Sequence, residues 1–250
     1  MSAVLALKPD QNTERDARIN LAACYRLIAH FGMDDLIYTH ISARVPESPG
    51  HFLINPYGMM FHEITASSLV KIDYDGNPVE PAQHPINYAG FVIHSAIHAA
   101  RPDVTCVLHT HTRSGVAVSC LKEGLLSLNQ FSAPYYNRVG YHEYEGVATN
   151  LDERQRLVRD LGDKRVLVLR NHGLLTAGRS VPEAFQLMYY LEQSCRVQMD
   201  LKGSRGGINA LSHEVSEYTA KQCENFDTHG ERAWPALLRL LDAEDPSYRQ

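Results

Sequence analysis

No stretch of this 250-residue chain approaches the roughly 18 consecutive apolar residues that a membrane helix requires, so no membrane partner is expected. Basic residues form no block suited to nucleic acid, and there is no acidic tail. The net charge is −5, with both signs interspersed. Neither a GxGxxG nor a P-loop motif occurs, which leaves nucleotide binding without support. The five cysteines (Cys24, Cys106, Cys120, Cys195, Cys223) are scattered, and none forms a CxxC pair. They read as reduced thiols, and the expected location is the cytoplasm. At the N-terminus the apolar patch from Ala3 to Leu7 is too short for a signal-peptide core. Internal repeats, low-complexity tracts and obvious linkers are also missing.

What is present is ordinary for a soluble globular protein: 44% hydrophobic and 21% charged residues. A chain this long can bury a sizeable core without disulfides or a structural metal. "TERDARINLAACYRLIAHFGM" carries Ile19, Ala22, Ala23, Leu27 and Ile28 at helical spacing, with Thr13 to cap its start and Gly32 to end it. "LIYTHISARV" and "HFLINPYG" read as strands set apart by Pro46, Pro49, Gly50 and Pro56. "TASSLVKID" reads as a capped helical turn and "DYDGNPV" as a hairpin-type turn. "NYAGFVIHSAIHAARPDV" is a helix closed by Arg101 and Pro102; "TCVLHTH" is a strand; "RSGVAVSCLKEG" is a short helix ending at Gly124. "RVLVLRNHG" reads as one continuous apolar strand. "VPEAFQLMYYLEQSCRVQMDLKG" is a long helix, with Pro182 in its first turn and Gly203 near its end. Alternating helices and strands predict an α/β domain with a central sheet covered by helices.

His109 and His111 are separated by one residue. In a strand their side chains share one face, roughly 7 Å apart at the backbone. Two such imidazoles can share a metal ion, or they can simply hydrogen-bond in a core. His172, in "LRNHGLL", follows another apolar strand and precedes a glycine. Strand ends are where α/β folds place functional groups. Three histidines with an open position suit a catalytic zinc, and iron or manganese as well. His94 and His98 share one helix face, where packing or interface roles suffice. Glu63, beside His62 in "FHEIT", could act as an acid or base, or could cap the turn that follows.

"HSAIHAARPDV", "VLHTHTRSG" and "LRNHGLLTAG" together resemble the class II aldolase/adducin family. "DLIYTHISARVP", "FLINPYGMMFHEITASSLVKIDYDGNPV" and the helix opening "PEAF" extend the resemblance from about residue 14 to about residue 228. The family includes fuculose- and rhamnulose-phosphate aldolases, ribulose-phosphate 4-epimerase and the adducin head domain. The resemblance implies a single three-layer α/β/α domain with a mainly antiparallel, mixed central sheet. It implies a divalent metal, zinc first and iron or manganese otherwise, on His109, His111 and His172. It also implies a homotetramer with sites at subunit interfaces. The expected organisation is a flexible leader over 1–13, the domain over 14–228 and a C-terminal extension over 229–250.

The departures from the family pattern bear on function. The sugar-phosphate aldolases carry an acid/base glutamate four residues before the first histidine of the "HSAIHAARPDV" helix. Here that position is Gly90, and a glycine moves no proton. In this stretch the chain resembles adducin, whose head domain is not an aldolase. Replacing Gly90 with Glu is expected to add a fourth ligand and raise metal affinity. The phosphate-pocket positions are Thr39-His40, Tyr57-Gly58 and Tyr88-Ala89 in place of small hydroxyl, amide and glycine pairs. His40, Tyr57, Gly58, Tyr88 and Gly90 are therefore the substrate-binding candidates. "FSAPYYNRVGYHEYEG" adds Tyr135, Tyr136, Tyr141 and Tyr144, and the catalytic candidates are Tyr135, Tyr136 and Glu63. The expected function is that of a metal-dependent lyase. Its small-molecule substrate would be an unphosphorylated oxo or hydroxy acid or an aromatic compound. It would be cleaved or decarboxylated through a metal-stabilised enediolate. The alternatives are a non-catalytic adducin-like scaffold and a non-haem iron oxygenase.

Overall fold

A computed structural model describes residues 13–81, 84–224 and 230–250. All of the expected leader except Thr13 lies outside these. Helix α1 (Glu14–His30) opens on Thr13, whose hydroxyl accepts the Asp16 N–H, and it closes where Gly32 turns left-handed at φ +63°. Strands β1 (His40–Arg44), β2 (His51–Ile54) and β3 (Val70–Asp73) follow as an antiparallel meander. Then come α2 (Tyr88–Ala100), β4 (Cys106–Thr110), α3 (Arg113–Ser119), β5 (Val139–His142), α4 (Glu153–Leu161), β6 (Val166–Leu169) and β7 (Gly173–Gly178). Helices α5 (Val181–Lys202), α6 (His213–Glu224) and α7 (Trp234–Glu244) complete the chain.

The seven strands form one sheet in the order β3-β2-β1-β4-β7-β6-β5. Every pairing is antiparallel except β5 with β6, so the sheet is mixed and mainly antiparallel. Helices α1, α3 and α5 cover one face; there Cys106 and Leu108 of β4 pack with Leu21, Leu27, Met188 and Leu191. Helices α2 and α4 cover the other, where Val107 of the same strand packs with Ile93, Ile97, Leu157 and Leu161. That alternation is the period of two along β4, and it makes the molecule the expected α/β/α sandwich. No helix among the described residues is long and apolar enough to cross a membrane.

Three local readings change. In "TASSLVKID" the hydroxyls of Thr65 and Ser68 close a turn on each other's backbone N–H groups. Val70 and Ile72 then alternate with half-buried Lys71 and Asp73 as a strand, β3. "RVLVLRNHG" is not one strand. Asn171 turns left-handed at φ +56°, and β7 returns antiparallel to β6 with Leu169 opposite Gly173. His172 therefore sits at the tip of a hairpin and not at a strand's end. Helix α3 stops at Ser119, short of Gly124. Residues 230–250 pack on α1: Trp234, Leu241 and Tyr248 are buried in the same core, and the Trp234 indole donates to Asn20.

Candidate metal centre

The ends of three sheet elements meet at one point. His109 is the last residue but one of β4, His111 lies just beyond the strand, and the β6–β7 turn carries His172. One ring nitrogen from each falls within 4.8 Å of the other two. Gly173 permits this approach, because a Cβ there would lie 2.4 Å from the Thr110 carbonyl oxygen and 3.2 Å from the His111 ring. Behind His111 the backbone is pinned by Thr112, which caps α3 and donates to buried Glu192 of α5. The His172 N–H donates to the Ser119 hydroxyl at 3.2 Å.

Hydrogen bonds fix the tautomers. His109 Nδ1 donates to the Leu174 carbonyl at 2.9 Å, and His111 Nδ1 to the Asp35 carboxylate at 2.9 Å. With Nδ1 committed on both rings, the Nε2 lone pairs face each other at 2.9 Å. Two lone pairs at that distance repel unless a cation stands between them. The protein alone can supply only a proton, and His109 and His172 both resist one. Burial first, then the neighbouring histidines, holds His109 well below the usual histidine range; the same causes bring His172 down to about 4. Converging imidazoles with a carboxylate behind one of them are the donor set of a divalent transition metal. The residues present fit such an ion.

His40 flanks this cluster. It lies opposite His109 in the β1–β4 register, their ring centroids 5.1 Å apart. Its ring fills the space in front of Gly90: a Cβ there would lie 2.4 Å from His40 Cδ2 and 2.9 Å from Nε2. This corrects the expectation for Gly90→Glu, since no side chain can enter from position 90 while His40 stands there. His94 and His98 are buried, as a packing role requires, but they also continue a hydrogen-bond chain. His40 Nδ1 meets His94 Nε2 at 2.8 Å, and the Ser42 hydroxyl bridges His94 Nδ1 at 2.7 Å and His98 Nε2 at 2.8 Å. Burial, before any charge effect, keeps all three imidazoles below the ordinary range, His98 at about 3.

The other candidates scatter. Tyr57 is half-buried, 6.4 Å ring to ring from Tyr38; Gly58 and Tyr88 are exposed. The buried Tyr135 donates to the Leu187 carbonyl, Tyr136 bonds His213, and Glu63 accepts the Met60 N–H as a local cap. None of these bonds leads to the histidines. Tyr144 is the tyrosine beside the cluster, 6.3 Å from the His172 ring. Sequence reasoning missed Asp35 and Ser42. Asp35 lies in a loop whose Leu36 and Thr39 hold left-handed conformations at φ +50° and +64°. Such conformations cost about 1–3 kcal/mol each and gather at functional sites.

The family described as Class II Aldolase and Adducin N-terminal domain matches residues 19–199. Among solved structures, an aldolase II superfamily protein from Pseudomonas syringae is 48% identical, with 98% of each chain covered and a TM-score of 0.91. An L-fuculose 1-phosphate aldolase from Glaciozyma antarctica PI12 is 29% identical over 95% of this chain and 93% of its own, with a TM-score of 0.85. Alpha-adducin of Rattus norvegicus is 40% identical over 92% of this chain, which is 33% of that protein's length.

Proposed function

From the premise that this chain belongs to the class II aldolase and adducin N-terminal domain family, we propose that it is a metal-dependent lyase acting on an unphosphorylated oxo or hydroxy acid or an aromatic substrate. The observation that carries this reading is the pair of lone-pair-bearing nitrogens, His109 Nε2 and His111 Nε2, facing each other at 2.9 Å with His172 beside them. These three would hold the ion, zinc before iron or manganese. Bound there, it supplies Lewis acidity toward a substrate with vicinal oxygens. Asp35 holds the His111 ring in its binding tautomer. Tyr144 and His40 border the cluster and bear polar atoms that can meet a substrate. Position 90 carries no carboxylate, which favours decarboxylation, where carbon dioxide leaves without a proton being removed. By the family resemblance, Tyr57, Tyr88 and His40 fall at the positions where phosphate-binding members carry small donors.

The test pairs metal analysis with a substrate screen. About one divalent ion per chain is expected, with thermal stabilisation by 2-oxo acids or aromatic acids. Turnover of fuculose-, rhamnulose- or ribulose-phosphate in the usual range of about 1–10³ s⁻¹ would sink the substrate reading. Gly90 also suits an adducin-like scaffold; protein that takes up no metal when zinc is supplied would decide for that second reading.

Asp35→Asn is expected to weaken zinc binding about 10–100-fold, the usual effect of losing a carboxylate behind a ligating histidine. Competition against a chelator reads this directly, and unchanged affinity would remove Asp35 from the site.

A homotetramer is expected as well. Tyr144, Val147 and Leu151 stay 53%, 73% and 49% exposed on one loop beside His172, more apolar surface than a solvated loop needs. Light scattering should return four times the 28.1 kDa chain mass; a monomer mass would overturn it. The five free cysteines suit a cytoplasmic location, which cell fractionation checks.

A further inference from the structure

We propose that the chain carries a second small-molecule site, a cavity at the end of the sheet away from the histidines, which takes a carboxylate borne on an aromatic body. This site stands apart from the metal centre and does not depend on it.

The cavity holds about 960 Å³, near the top of the roughly 300–1,000 Å³ of small-molecule sites. Val166, which opens β6, and Arg179, which directly follows β7, lie in its wall. His172 sits on the turn joining the other ends of those strands, so the length of β7, about 20 Å, separates the two sites. Helices α5 and α6 and the loop before β5 supply much of the remaining wall. There Phe131 and Tyr190 are each 40% exposed, with ring centroids 5.8 Å apart, an aromatic pair open to a third ring. Leu187 and Ala220 continue the apolar surface. Tyr135 does so too, because its hydroxyl is spent on the Leu187 carbonyl at 2.8 Å.

Charge sets the sign of the ligand. At the end near β6, among the described residues, the cations Arg101, Lys164, Arg165 and Arg179 gather with the carboxylates Asp103, Asp163 and Glu183. Arg101 is closely paired with Asp103 at 2.8 Å, and Arg179 with buried Glu183 at 2.9 Å. Arg165 reaches those same two carboxylates only at 3.3 and 3.9 Å. Burial lowers the hold of its guanidinium on the proton, and Arg179 and Arg101 add to that against the pull of Glu183 and Asp103. Lys164 has no ion-pair partner among the described residues. At the other end Arg138 and Lys221 face Glu217 and Glu224, a balanced set. What remains is one surplus positive charge at one end of an apolar chamber. A monoanion meets it, with its carboxylate on Lys164 and Arg165 and its ring against Phe131 and Tyr190.

Calorimetry tests this with 4-phenylbutyrate and the neutral 4-phenylbutan-1-ol, which share one body and differ in the head group. The titrations use zinc-loaded wild type and His111→Ala, the latter to remove the metal centre as a competing site. Both proteins should bind phenylbutyrate, and both should bind the alcohol about tenfold or more weakly, for want of the charge-assisted bond. Lys164→Gln should weaken binding of the acid about tenfold and leave the alcohol unchanged. Tyr190→Ala and Phe131→Ala should each weaken both ligands about two- to tenfold. Both side chains are partly exposed, so either truncation leaves the core packed. Binding of the acid by zinc-loaded wild type but not by His111→Ala would put the acid at the metal centre; it would overturn this proposal and leave the metal reading standing. Equal binding of acid and alcohol, binding of the acid untouched by Lys164→Gln, or no binding of the acid by wild type overturns it as well.

Discussion

His111→Ala protein should lose zinc affinity by a hundredfold or more and should no longer be stabilised by added zinc. Zinc held by protein ligands at neutral pH is worth about 10–16 kcal/mol in small zinc domains. Shared among a few ligands, that leaves several kcal/mol for each, and about 1.4 kcal/mol is a factor of ten. His111 is the cleanest of the three to remove. Its side chain is 26% exposed and its Nδ1 partner, Asp35, is half-exposed, so truncation opens no sealed cavity. His109 is 1% exposed and packs against His40, so its loss would mix ligand removal with damage to the core. Wild type at zinc a hundredfold above its dissociation constant gains about 2.7 kcal/mol, a rise in melting temperature of roughly 5–10 °C for a chain of this size. His111→Ala at the same zinc concentration should show none of that rise. His62→Ala is the control: an exposed histidine outside the cluster, whose loss should leave zinc binding unchanged. Equal zinc affinity in His111→Ala and wild type would refute the three-histidine centre.

Which parts of this site could be read from sequence follows from how its residues reach it. His109 and His111 were legible because strand parity is local: alternate residues share a face whatever the strand pairs with. His172 was legible as a candidate position although its strand was misbounded. The left-handed turn at Asn171 leaves no periodic signal, yet the histidine stays at an element's edge either way. Asp35 was not legible. It reaches His111 across 76 residues of sequence through a loop, and only the sheet order brings the two together. Ser42 and the role of His94 and His98 were hidden for the same reason, since the chain joins β1 to α2 across more than 50 residues. Gly90 was noticed for what it lacks. What replaces the missing side chain could be seen only once β1 was laid beside α2. At the level of fold, the sandwich was legible from alternation and resemblance, and the errors fell on turns closed by side-chain hydroxyls or a left-handed asparagine.

Gly90→Ala should destabilise the protein, and the sign should reverse once His40 is removed. Alanine is the better helix former by about 1 kcal/mol, and Gly90 lies inside α2, so propensity alone predicts a gain. The structure opposes it. The new Cβ would lie 2.4 Å from His40 Cδ2, 2.6 Å from Cγ and 2.9 Å from Nε2. Relieving those contacts means moving the imidazole, which breaks its 2.8 Å bond to His94 or drives the ring into His109. Overpacking of this kind costs about 1–3 kcal/mol, and a severed buried hydrogen bond about 1–3 kcal/mol more. The clash outweighs propensity, for a net loss of about 1–5 kcal/mol, or several degrees in melting temperature at roughly 2–4 °C per kcal/mol. Gly90→Glu meets the same first obstacle and places a carboxyl group behind it, so it should lose at least as much and gain no metal affinity. In a His40→Ala background the obstacle is gone, and Gly90→Ala should be neutral or stabilising by up to its propensity gain. Melting curves of wild type, both single variants and the double variant close the cycle. Additive effects would mean that the two residues do not touch, and a single Gly90→Ala variant that melts at or above wild type would mean that the His40 ring does not occupy the space before position 90.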